Sequence, residues 1–76
     1  MKPIEAPDTF PARLHRLRRG KHMTQSGLAA VIGCSQTTIA SWEAGRHCPM
    51  PNSVHMRKLA QALGTTPLYL LAGDVL

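Results

Sequence analysis

Apolar positions along the chain recur at three- and four-residue spacing, with no strand-like alternation and no internal repeat. Phe10, Leu14 and Leu17 stand at i, i+4 and i+7, one stripe of a helix. Thr9 offers an N-cap and Pro11 sits in the first turn, where a missing N–H costs little; Gly20 is expected to close this helix. Thr24 caps a second helix from Gln25 to about Ile32, with Leu28, Val31 and Ile32 on its inner side and Gly33 as its stop. Ser35 caps a third, from Gln36 to about Ala44, ended by Gly45. A two-proline loop, "RHCPMPN", follows. Asn52 is expected to cap a fourth helix, whose Met56, Leu59, Ala60 and Leu63 make another stripe before Gly64. Thr66-Pro67 opens a short fifth helix with Leu68, Leu70 and Leu71, stopped at Gly73. Caps, stops and stripes agree, so the pattern specifies a compact all-α fold of five helices. Residues 1–8, with Pro3, Glu5, Pro7 and Asp8 and no periodicity, read as a loose arm; residues 9–76 form the domain.

The third helix departs from an ordinary surface helix. At 100° per residue, Ile39 and Trp42 fall together and mark the inward side. Thr37, Ala40, Ser41 and Ala44 fall opposite, and Gln36 stands at the exposed N-terminal end. A helix needing only solubility would carry Lys and Glu there. This face instead offers an amide, hydroxyls and methyls, the groups that suit base edges in a major groove. For such a helix to reach the groove, its predecessor must hold it at a fixed angle. Gly33 supplies a tight left-handed turn, Ala29 permits close approach, and the free N–H groups at the start of the second helix, beside Gln25, favour a phosphate.

Charge sharpens this picture. Nine Lys and Arg oppose four acids, a formal net charge of +5 in 76 residues. A small, strongly basic domain suits a polyanion, nucleic acid first. Two cysteines are too few for a secreted disulfide scaffold, the N-terminus has no signal-like apolar segment, and no apolar run is long enough to span a membrane. A cytoplasmic location with reduced thiols is the expectation.

At "MTQSGLAAVIGCSQTTIASWEAG", Met23 to Gly45, the chain resembles the phage-repressor/Cro, or Xre-like, helix-turn-helix family. Gln25, Leu28, Ala29, Ile32, Gly33, Ser35, Ile39 and Trp42 carry the spacing, and the flanks "LHRLRRGKHMTQ" and "LAQALGTTPLYLL" extend the likeness over about residues 10 to 72. The resemblance implies a five-helix, lambda-repressor-like domain that binds double-stranded DNA, usually as a homodimer, and regulates transcription, here as a repressor. The expected base contacts are Gln36, Thr37, Ala40 and Ser41. The expected phosphate contacts are Thr24, Gln25, Ser35, Thr38, Arg46 and His47. An ion pair between Arg18 and Glu43 is implied as well. The chain departs from the family at Gly27 inside the second helix, at Cys34 in the turn, in a longer loop after the third helix, and at the polar Ser53 and His55.

Glu43 has no second carboxylate nearby in sequence, so a structural role outweighs a catalytic one. Trp42 belongs to the core by its wheel position. Cys34, His47 and Cys48 lack paired metal-ligand spacing, and Cys34 reads as a small hydrophobe. No metal, cofactor or enzymatic activity is expected. His15, His22, His47 and His55 read as surface or loop residues, with His47 placed to touch phosphate. Arg13 and Arg16 form either a solvated face or phosphate contacts. Leu68, Leu71, Val75 and Leu76 either complete the core or leave an apolar patch for a partner subunit. The rival reading is a protein-interaction module, such as an antitoxin or adaptor bound to a toxin or another regulator.

Overall fold

The computed structural model describes residues 9–73. The arm at 1–8, and Val75 and Leu76, lie outside the described residues. Five helices follow one another: α1 (Phe10–Gly20), α2 (Gln25–Ile32), α3 (Gln36–Glu43), α4 (Val54–Leu63) and α5 (Pro67–Ala72). No strand occurs among the described residues. α1 packs on α3 and α5, α2 on α3 and α4, and α4 on α5.

One core joins all five. Leu14, Leu28, Ile32, Ile39, Met56, Leu59, Leu63 and Leu70 are sealed from solvent, and Trp42 is 4% exposed. Side chains of this kind contribute about 1.5–3 kcal/mol each when fully buried. Thr9, Thr24, Ser35 and Thr66 cap their helices as the sequence indicates, each hydroxyl oxygen accepting an N–H from three residues on.

Four local expectations are corrected. Ser53, not Asn52, caps α4: its Oγ accepts from Met56 N at 3.1 Å and donates to Met50 O at 2.8 Å. That bonding accounts for a polar residue at the start of this helix. Gly20 remains helical, and the left-handed turn after α1 falls on His22 (φ 58°), while Met23 N donates back to Arg18 O. Val31 is 58% exposed, because the inward arc of α2 is set by Leu28, Ala29 and Ile32. Arg13, read as part of an outer face, is buried at 3% exposure. Its Nε donates to Leu70 O and its Nη2 to Leu71 O, both at 3.0 Å. These carbonyls belong to the last turn of α5, which has no intrahelical donors to offer them, and a cation suits that end of a helix. Leu70 completes the core, Leu71 packs partly against it, and Leu68 is 62% exposed.

Candidate nucleic-acid interface

The turn between α2 and α3 is built on Gly33. Its φ of 90° is left-handed, its N–H and that of Cys34 both donate to Ala29 O (2.8 and 3.0 Å), and Ser35 caps the next helix two residues on. Space does not select the glycine, since an added Cβ would meet nothing within 4 Å; the backbone angle does. Gly27 has a different reason. A Cβ there would lie 3.2 Å from Thr24 Oγ1, the atom that accepts from Gly27 N at 2.9 Å and caps α2.

With Ile39 and Trp42 buried, α3 leaves Gln36 and Thr37 exposed, with Thr38, Ala40 and Ser41 half-buried beside them. Ser35 Oγ accepts from Thr38 N and lies 3.0 Å from Thr38 Oγ1. Gln36 is tethered: its Nε2 donates to Gln25 Oε1 at 2.8 Å. Gln25 Nε2 in turn donates to Glu43 Oε1 at 3.1 Å. Glu43 is held by Arg18, whose Nε reaches Oε2 at 2.6 Å and whose Nη2 reaches Oε1 at 3.2 Å, while Arg18 Nη1 donates to Met23 O at 2.7 Å. The exposed glutamine is therefore the end of a hydrogen-bonded chain running back to α1. Burial works against the charge on Glu43, but hydrogen bonds led by those of Arg18 and Gln25, with the Arg18 charge, outweigh it and hold the carboxyl below its ordinary value.

An open cleft of about 550 Å³ lies where α1 meets the start of α2, lined by Arg18, Arg19, His22, Thr24, Gln25 and Ser26, with Gln36 at its edge. Free N–H groups at the start of α2 and the Arg19 cation make it suited to an anion. Thr24 and Gln25 were legible here from sequence; Arg19, His22 and Ser26 were not. The available signal was that Arg19 stands five residues before the N-cap Thr24 of a helix. Arg46 and His47 are exposed beyond α3, at a distance in sequence from this cleft. Arg16 donates to the Tyr69 hydroxyl at 3.0 Å, which occupies it on the α5 side.

Cys34 is half-buried against the core and Cys48 exposed, both free, with burial pushing each thiol up. Among the described residues, no three His, Cys, Asp or Glu side chains are placed to hold a metal, and no helix is long and apolar enough to cross a membrane. His55 packs edge-on to Trp42, ring centroids 6.0 Å apart. His15 lies at the surface as expected, and there places Nδ1 3.2 Å from both Glu43 Oε1 and Arg18 Nη2. Glu43 is the only acid among the described residues. With it neutralised by Arg18, the outer charges left on them are basic: Arg16, Arg19, Lys21, Arg46, Arg57 and Lys58.

Comparison with known proteins gives a consistent result. A family model described as helix-turn-helix matches residues 14–70. The HTH-type transcriptional activator BcrR of Enterococcus faecalis is 34% identical over 67 residues, covering 88% of this chain and 32% of that protein. Repressor protein C2 of Salmonella phage P22 is 33% identical over 63 residues, covering 83% of this chain and 28% of that protein. The chain thus spans about a third of the length of these curated relatives. The crystal structure of the P22 c2 repressor in complex with synthetic operator 9T superposes with a TM-score of 0.83 at 29% identity, covering 90% of this chain and all of that one.

Proposed function

The chain belongs to the helix-turn-helix family, and on that premise we propose that it is a sequence-specific double-stranded DNA-binding regulator of transcription. α3 enters the major groove. Gln36, Thr37, Ala40 and Ser41 meet base edges, with a bidentate Gln36–adenine contact as the strongest candidate. Thr24, Gln25, Ser35, Thr38, Arg46 and His47 contact phosphates and set the register, joined by Arg19 and Ser26 at the cleft by α2. The domain works as a homodimer on two half-sites about one helical turn apart, and it represses by covering the duplex.

The observation that carries this reading is the state of Gln36. It is exposed, uncharged and held in place by Gln25 at the start of α2. A side chain fixed in advance loses less freedom on docking than a free one. The basic outer charge supports the phosphate half of the interface. The P22 c2 repressor, whose fold this chain shares, is held on an operator duplex in its own crystal structure.

Selection of binding sites from random duplexes, repeated at two salt concentrations, tests the proposal. A defined pair of half-sites, with affinity falling steeply as salt rises, is expected. Salt-sensitive binding with no enriched sequence would contradict it.

A further inference from the structure

We propose that His15 is a positioning residue for the recognition glutamine, acting through Glu43 and Gln25, and that protonation of its ring loosens Gln36. This rests on the reading of Gln36 as a base-contacting residue.

His15 Nδ1 has two neighbours, Arg18 Nη2 and Glu43 Oε1, each 3.2 Å away. They demand opposite things of it. Arg18 is only a donor, so towards Arg18 the nitrogen must present a lone pair. The Glu43 carboxylate only accepts, so towards Glu43 the nitrogen must carry a proton. With His15 neutral and its proton on Nε2, Nδ1 accepts from Arg18. The Arg18 fork still holds Glu43, and Oε1 then receives two donors, Arg18 Nη2 and Gln25 Nε2. A carboxylate oxygen has about two lone-pair positions, so Oε1 is full.

A protonated ring changes the count. Its Nδ1–H turns to Glu43 as a third, charged donor and repels Arg18. Charge-assisted hydrogen bonds are stronger than those of a neutral amide, so Gln25 is the donor that yields. Released from Glu43, Gln25 no longer offers Gln36 Nε2 a fixed acceptor at 2.8 Å. Histidine is the side chain whose charge changes between pH 5 and 8.

The groups facing the ring can be named by element. From its own helix, Arg18 opposes the charged form, and Arg19, four residues on, adds positive charge on the same side. From α3, Glu43 favours it. From α5, the other element packed on α1, Tyr69 is engaged by Arg16.

Two measurements on the whole chain test this. The first follows the side-chain amide NMR signals of Gln25 and Gln36 in the free protein from pH 8 to pH 5, beside the His15 ring. Both amides are expected to move with the His15 midpoint, and to stand still in His15→Gln. Amides that stay put while the His15 ring titrates overturn the proposal. The second follows the ratio of affinities for the selected site and for random duplex over the same range. The ratio is expected to fall severalfold toward pH 5 in the wild type, to stay at its high-pH value in His15→Gln, and to stay at its low-pH value in His15→Arg. An equal fall in wild type and His15→Gln would assign the effect to His22, His47 or His55 and overturn the proposal. Amides that follow His15 with a ratio flat in all three proteins would uphold the coupling and remove Gln36 from base reading.

Discussion

Arg18 and Glu43 are joined by two parallel hydrogen bonds across 25 residues of chain, Nε to Oε2 at 2.6 Å and Nη2 to Oε1 at 3.2 Å. The pair fixes the start of α1's last turn against the end of α3. Their side chains are 11% and 8% exposed, so removing one partner strands a charge out of water. Glu43→Ala is expected to cost about 3 kcal/mol, read as a lower urea midpoint. An unchanged midpoint would show that the pair contributes nothing net.

The same carboxylate predicts a pH dependence. Glu43 binds its proton less readily in the folded chain than its ordinary value implies. Its contribution to stability is therefore complete above the unfolded glutamate value, about 4.3, and is lost as pH falls through the lower folded value. The stability gap between wild type and Glu43→Gln should narrow steadily below about pH 4. A gap of constant size from pH 7 to pH 2 would contradict this.

Arg13 predicts a separate effect at the other end of α1. Arg13→Ala leaves the carbonyls of Leu70 and Leu71 without its donors, at a cost of about 1–3 kcal/mol for a buried acceptor left unpaired. Hydrogen exchange should show the amides of α5 losing protection before those of α2 and α3. Uniform loss over all helices would mean that α5 does not open on its own.

Two of the left-handed positions, Gly33 and His22, predict opposite signs. Gly33→Ala puts a Cβ at φ 90° and should cost about 1 kcal/mol. His22→Gly relieves a side chain held at φ 58° and should stabilise by about half a kcal/mol, the rest being offset by the freer unfolded chain. Thermal melts of both variants check this; a destabilised His22→Gly would mean that the side chain makes a compensating contact.

Much of this was legible because the deciding interactions are local. A threonine or serine three residues before an N–H, a glycine at a helix stop and an apolar stripe all act within one or two turns, and helices α1, α2, α3 and α5 start where such signals place them. Ser53 was missed for its neighbour Asn52 because both residues cap well, and only the α4 register distinguishes them. The contacts of Arg13 and His15 were not legible for a different reason. Their partners, at Leu70, Leu71 and Glu43, lie 28 to 58 residues away in the chain, where helical periodicity carries no information. Arg19, His22 and Ser26 come together only once α1 and α2 are set at an angle.

The measurement that bears most directly on the account is the ratio of affinities for the selected duplex and for random duplex, compared between wild type and Gln36→Ala at one salt concentration. Arg19→Ala serves as the phosphate control and should weaken both duplexes alike, lowering the salt slope by about one. For Gln36→Ala the ratio is expected to fall by about 1–3 kcal/mol of discrimination, with the salt slope unchanged. A ratio that survives the loss of Gln36 would place sequence reading elsewhere and contradict the central claim.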